Sequence, residues 1–324
     1  MKRFSWFCWL SALSVAAVVF VAAPAQAQQK LKIALLRTTA ELSLIHAEKM
    51  AYFPKEGIDV EIVTLNNGPA VVSAVVSGSA DIGWAATTPI ISAVTRQQPI
   101  KAFLTNSLES WPDHSFEHLI ASERSGIRTL ADLKGKTAAS NATNGGCDLT
   151  IRDHLRAAGI PADTVKMAVV PFPQMQAALE LGTVDAVCIV DPFYTMVMGS
   201  PAIKPVRLGD GRFAGLKQIG AFAADAYFAR EDWLAANTKA AAGFIRAIAA
   251  ANADLTASPA KYRALLESEF KMTPELAAKL PIELNTVSLV AEAKDYQPEI
   301  DALVRTGLLP ATIPAQSVVF TILP

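Results

Sequence analysis

Short apolar runs alternate with amphipathic stretches twice along this chain, and each series is followed by an extended segment with no helix in it. In the first series "LKIALL" (31–36) reads as a strand and "ELSLIHAEKMAYF" (41–53) as a helix. "IDVEIV" (58–63) is a strand, and "GPAVVSAVVSG" (68–78) is a helix closed by Gly78. "ADIGW" (80–84), a helix over 88–97 and "IKAFL" (100–104) continue it. The second, smaller series holds "KTAAS" (136–140), "CDLTIRDHLRAAG" (147–159), "VKMAVV" (165–170), a helix over 173–181 and "DAVCIV" (185–190). Alternation of this kind specifies an α/β fold with mostly parallel sheets covered on both faces. The extended runs "EHLIASE" (117–123) and "IGAFAADAYF" (219–228) predict that the chain passes to a second lobe and returns, crossing near 114–121 and 217–225. A cleft then lies between the lobes, where the carboxyl ends of parallel strands deliver their loops.

The first 27 residues stand outside this pattern. "MKR" is a charged start, "FSWFCWLSALSVAAVVFVAA" is an uncharged apolar run, and "PAQAQQ" supplies an A-x-A site, which predicts a signal peptide cleaved after Ala27. The mature part, 324 less 27 or 297 residues, loses Lys2 and Arg3, so its formal charge moves from −1 to −3. Near-neutral charge without a basic run excludes a nucleic-acid partner. No second stretch of about 18 apolar residues follows, so the mature protein is expected not to span a membrane. From Glu231 onward the chain is alanine-rich: 231–258 reads as one long helix, followed by helices at 259–270, 274–280 and 298–306 that pack back on the first sheet. Two cysteines remain, Cys147 and Cys188, both in the second lobe. Two separate buried thiols are the preferred reading and a bridge the alternative.

Candidate site residues follow from the strand ends. The first lobe offers Arg37, Thr38 and Thr39, then Asn66 and Asn67, then Trp84 to Thr87; the second offers Asn141 to Gly146, Phe172 and Asp191. Arg37 either clamps a carboxylate or sulfonate or pairs with Glu41 at the rim. Trp84 is a stacking wall or a core residue. Thr87, before Thr88-Pro89, caps a helix and shares its hydroxyl with ligand. Asn144, Gly145 and Gly146 present backbone N–H groups at a helix N-terminus, which favours an anion. Asp191, beyond which Pro192 stops the strand, accepts from a ligand donor or caps. Asp81 and Asp185, each opening a strand, read as structural, and His46 and His154 as surface or boundary residues.

Enzymatic readings are weaker. His114-x-x-Glu117-His118 has the spacing of an inverted zinc-hydrolase signature. "HLIAS" reads as strand, however, which puts His114 and His118 about 13 Å apart along the chain. The turn in "NATNGGC" carries neither G-x-G-x-x-G nor G-K-[ST], and no G-x-S-x-G elbow is present.

Four blocks carry a family likeness: "AYFPKEGIDVEIV" (51–63), "GPAVVSAVVSGSADIGWAATTPIISAV" (68–94), "IRTLADLKGKTAAS" (127–140) and "MQAALELGTVDAVCIVDPF" (175–193). In order and spacing they resemble the exported solute-binding proteins of the nitrate/sulfonate/taurine group, which includes thiamine-precursor binders. The resemblance implies a two-lobed type II periplasmic binding protein fold, with residues 28–117 and 221–324 in lobe one and 118–220 in lobe two. It further implies a periplasmic monomer without catalytic activity, metal or cofactor, which hands a small solute to the permease and ATPase of an ABC importer. The sequence departs from the family's pyrimidine-precursor binders at "LRTTAELS", which stands where they carry an aromatic-and-Asn loop. The expected ligand is therefore a small organic anion of sulfonate or carboxylate type. A pyrimidine, thiamine precursor or aromatic carboxylate is the alternative, and a zinc hydrolase or thiamine-pyrimidine synthase-like enzyme the alternative from another class.

Overall fold

The apolar runs become strands buried between helical layers, as continuous hydrophobic strands must. In the computed structural model, residues 28–110, 114–282, 284 and 288–323 are described; the leader, its cleavage point and Trp111-Pro112 lie outside them. The chain opens with β1 (Gln29–Leu35), α1 (Leu42–Lys49), α2 (Tyr52–Lys55), β2 (Ile58–Thr64), α3 (Gly68–Val76), β3 (Ile82–Ala86), α4 (Thr87–Thr95) and β4 (Ile100–Glu109). It then enters a second sheet with β5 (His118–Ser122), β6 (Thr137–Ser140), α5 (Gly146–Ala157), β7 (Lys166–Val169), α6 (Phe172–Leu181), β8 (Ala186–Ile189), α7 (Phe193–Met198) and β9 (Pro205–Asp210). Past α8 (Leu216–Ile219) it returns as β10 (Phe222–Arg230) and ends in α9 (Glu231–Ala236), α10 (Thr238–Ala257), α11 (Pro259–Phe270), α12 (Pro274–Lys279) and α13 (Ala293–Arg305).

The strand orders are β2-β1-β3-β10-β4 and β7-β6-β8-β5-β9. Both sheets are mostly parallel, as expected, each with one antiparallel strand that makes it mixed: β10 runs against β3 and β4, and β5 against β8 and β9. These are the strands that follow each crossing. They enter from the cleft, where the parallel strands end, and so must run the opposite way. The two extended runs are thus strands within the sheets, and the chain leaves the first sheet after β4 and the second after β9. The predicted long helix is broken at Asn237 (φ −123°), whose Nδ2 donates to the Trp233 carbonyl at 2.9 Å. The last helix starts five residues earlier than expected and encloses Pro298. The C-terminal helices do pack on the first sheet, α13 against β10 and α4, and α10 against α1 and β2.

Several local devices recur in both lobes. Gly78 and Gly182 adopt the left-handed backbone expected of helix ends (φ 77° and 71°). Asp81 accepts the Lys32 N–H and Asp185 the Thr137 N–H, at 2.8 and 2.9 Å, so each opens its strand by fastening it to a neighbour. His46 and His154 are buried, which corrects their placement at the surface. His46 Nε2 meets Asp254 at 2.7 Å, and His154 Nε2 meets the Gly211 carbonyl at 2.9 Å.

One side chain ties the crossings to the first lobe. Arg212, on the return crossing, is wholly buried. Its Nη2 donates to Glu117 Oε1 at 2.7 Å and its Nε spans both Glu117 oxygens. Its Nη1 donates to Glu299 Oε2 of α13 at 2.7 Å and to Thr87 Oγ1 at 3.0 Å. The Arg212 backbone N–H donates to Glu109 Oε1 at 2.9 Å. Two buried carboxylates therefore grip the guanidinium, and a third holds the backbone of the same residue. Burial, reinforced by Glu117, lifts Glu109 to about 8 against the opposing pull of Arg212.

Cys147 of α5 and Cys188 of β8 form a disulfide with Cα atoms 5.3 Å apart, which overturns the reading of two separate thiols. The helix's first turn lies directly over the strand that carries its partner, a proximity that sequence spacing does not reveal.

Three outcomes are expected. Cys147→Ser with Cys188→Ser should cost about 2–4 kcal/mol in urea unfolding, the usual worth of a bridge closing a loop of this size. Arg212→Met leaves two buried carboxylates unpaired and should cost about 3–5 kcal/mol by the same measurement. The unfolded chain releases the Glu109 proton near 4.5 and the folded one near 8, so stability falls as pH rises through that window. Glu109→Gln keeps an acceptor for Arg212 and should make the decline in Tm over that window shallower by a few degrees (about 2–4 °C per kcal/mol).

Candidate functional site

The carboxyl ends of β1, β3, β6 and β8 point at a narrow cavity between the lobes. The first lobe contributes Leu36, Thr38, Gly68, Trp84, Ala86 and Pro89, and the outward crossing contributes Phe116 and Glu117. The second lobe contributes Asn141, Gly145, Gly146, Cys147, Phe172 and Val190. Seven of the predicted site residues are thus brought together: Thr38, Trp84, Ala86, Asn141, Gly145, Gly146 and Phe172.

Each is held by its local structure. Trp84 sits near the end of β3, and its Nε1–H is tied to Asp225 Oδ1 at 2.8 Å, so the ring rather than the N–H is offered to the cavity. Thr38 is buried, and its Oγ1 has no hydrogen-bond partner among the described residues. Asn141 follows β6 in the turn before α5, whose N-cap is Gly145. At Gly146 a Cβ would lie 2.5 Å from Glu117 Oε1 and 3.3 Å from Arg212 Nη2, so the absence of a side chain lets the carboxylate reach the helix's first turn. The positive end of α5 consequently faces an anion supplied by the chain itself. Asp148, in the same turn, accepts the Asn144 N–H at 2.8 Å.

The other predicted residues have different duties. Arg37 is half-exposed and ion-paired with Glu269 of α11, not with Glu41. Thr39 does not line this cavity; its N–H and Oγ1 approach the Asp191 carbonyl at 3.4 and 3.3 Å, a contact between lobes. The Thr87 hydroxyl donates to the Ala223 carbonyl at 2.8 Å and accepts from Arg212, leaving no face for ligand. Asn144 (φ 58°) lies outside the lining. Asp191 Oδ1 accepts from Thr195 N at 3.0 Å and Thr195 Oγ1 at 2.7 Å, so its side chain caps α7. The members of the zinc-like triplet are engaged separately: Glu117 with Arg212, and His118 with Asp210 at 2.9 Å while stacked on Tyr194. Among the described residues no group of three or more His, Cys, Asp or Glu is placed to hold a metal.

The electrostatics of the walls are acidic. No Lys, Arg or His is among the residues lining the cavity, and Glu117 is their one charged member. Burial also raises Asp225, against hydrogen bonds from Ser107, Asn106 and Trp84, and raises Glu41 well above the usual carboxylate range. Sequence reasoning missed Phe116, Arg212, Glu299, Asp225 and Glu41 as neighbours of the site. Asp225 alone carried a signal, a carboxylate in the middle of the otherwise apolar "FAADAYF".

Known proteins share this construction. A putative aliphatic sulfonates-binding protein of Escherichia coli (strain K12) is 30% identical over 155 residues, 48% of this chain and 46% of the relative. A 4-amino-5-hydroxymethyl-2-methylpyrimidine phosphate synthase of Uromyces fabae is 27% identical over 234 residues, 68% of this chain and 65% of the relative. The chain thus spans between about half and two thirds of the length of these curated relatives. Among solved structures, the alkanesulfonate-binding protein SsuA from Xanthomonas axonopodis pv. citri bound to MOPS superposes with a TM-score of 0.74 at 20% identity, over 90% of this chain and 98% of that one. The two lobes, two crossings and intervening cavity are accordingly the periplasmic binding protein fold. With the NMT1/THI5-like family model matching residues 39–262, the chain belongs to that family.

Proposed function

We propose that this protein is the exported, solute-capturing component of an ABC importer, and that its solute is held without chemical change in the cavity between the lobes. The domain reading that goes with it assigns residues 28–117 and 221–324 to one lobe and 118–220 to the other. The observation that carries the proposal is a narrow cavity lined from both lobes, with an aromatic wall on each side at Trp84 and Phe172. A solute that touches both walls binds the closed form more tightly than the open one and so drives closure. Docking on the permease and ATPase subunits then selects the closed form. Glu117, the residue a hydrolytic reading would use as base, is fixed by Arg212 and faces a helix terminus, which supports binding rather than catalysis.

The ligand class that suits this cavity is a small ring-bearing solute, neutral or donor-rich, such as a heteroaromatic amine. Trp84, Phe116 and Phe172 offer stacking faces, while Thr38, Asn141 and Glu117 offer hydrogen-bond acceptors. A sulfonate or carboxylate would face the Glu117 charge without a lining cation, and the terminus of α5 that would receive it is already compensated. That terminus is still the observation favouring the anionic alternative.

A thermal-shift series on the mature protein separates the classes, since a ligand at 100 times its Kd adds about 2.7 kcal/mol to stability. Aminopyrimidines should raise Tm by several degrees, and nitrate, taurine and benzoate by less than one tenth of that. Phe172→Leu should weaken the best binder about tenfold. Stabilisation by the anions alone would reverse the assignment of ligand class.

A further inference from the structure

Phe116 also borders a second, small cavity, with room for little more than a single polar group. Its walls come from the first lobe and the outward crossing: Thr39, Ser43 of α1, Asn106 and Ser107 of β4, and Tyr262 of α11, with His114 beside Phe116. No Lys or Arg lines it.

Four of the chamber's polar side chains turn the same way, while His114 and Tyr262, which also line it, carry N–H and O–H groups. Ser43 Oγ is paired with Asn252 Oδ1 at 3.2 Å, and Thr39 Oγ1 donates to the Asp191 carbonyl. Ser107 Oγ donates to the buried Asp225 carboxylate. Asn106 Nδ2 donates to the Ala40 carbonyl at 3.1 Å. Four side chains thus direct their donors into the protein and keep acceptor lone pairs for the chamber. Asn106 Oδ1 has no hydrogen-bond partner among the described residues although Asn106 is only 2% exposed. A buried acceptor left without a donor is costly. Behind the wall stands Asp225, which accepts the Ser107 hydroxyl and so keeps that oxygen's lone pairs turned to the chamber.

We infer that this second chamber is a binding subsite for a hydrogen-bond-donating group, a primary amine or primary amide, carried by the solute whose ring occupies the first cavity. The inference rests on the ring-binding reading of that cavity. Because the chamber's walls belong to the first lobe and the crossing, the donor group docks before the second lobe closes over the ring. Phe116 is the partition between ring and donor group, and Asn106 Oδ1 is the acceptor that reads the donor.

The test uses one ring with different substituents: fluorobenzene followed by ¹⁹F NMR, and benzylamine, benzamide, benzoate and benzenesulfonate followed by calorimetry on the mature protein. Benzylamine and benzamide should bind at least tenfold tighter than the two anions. Asn106→Leu, which keeps the volume and removes the acceptor, should abolish that preference while leaving fluorobenzene affinity unchanged. Should that variant not fold, Ser43→Ala should reduce the preference about threefold. If fluorobenzene binds but the four substituted rings bind alike, or the preference survives the variants, the chamber holds only water and the subsite is refuted while the ring-binding reading stands. If none of the five binds, the ring-binding reading fails and the subsite falls with it.

Discussion

The guanidinium of Arg212 touches Glu117 from one crossing, Glu299 from α13 and Thr87 from α4, and does so without access to water. Two crossings that would otherwise be independent strings are thereby joined to each other and to the first lobe. The cost of burying these charges is large, and their mutual geometry offsets it only because the fork of Arg212 meets a carboxylate in both directions. What the arrangement provides is position. Glu117 is held at the edge of the cavity, against a glycine that has no side chain to exclude it, and the cleft is assembled around that fixed point.

The alternation of strands and helices was legible because apolar period and turn residues are local properties, and the glycine-terminated helices and strand-opening aspartates were legible for the same reason. The direction of β5 and β10 was not, since an extended apolar run looks the same in either sense and only the path of the crossing decides it. At the site, Thr38, Trp84, Ala86, Asn141, Gly145, Gly146 and Phe172 were found because strand ends in an α/β lobe face the cleft. Arg37, Thr87 and Asp191 sit at equally good positions by that rule. Arg37 and Thr87 are diverted by partners distant in sequence, respectively Glu269 and Arg212 with Glu299, whereas Asp191 caps α7 four residues on, the second of its two expected roles. A side chain's availability depends on what reaches it from elsewhere, and local sequence carries no record of that.

The turn before α5 illustrates how a motif changes meaning in context. A glycine-rich helix entrance attracts negative charge wherever it occurs. Here the charge arrives from the protein's own crossing, so the same feature that suggested an anionic ligand becomes part of the scaffold. The cavity left beside it is bounded by aromatic rings and oxygen acceptors, which is a different chemistry from that of a phosphate or sulfonate cradle.

The bridge between Cys147 and Cys188 stands in the wall of that cavity, one residue from Gly146. It gives the site a history. In a reducing compartment the two sulfurs remain thiols, and the first turn of α5 is secured to β8 by packing alone. Only where disulfides persist is the wall completed. With the bridge formed, one wall of the cavity carries a covalent tie that the opposite wall lacks, so the thiol state of two cysteines decides how firmly the entrance to α5 is held.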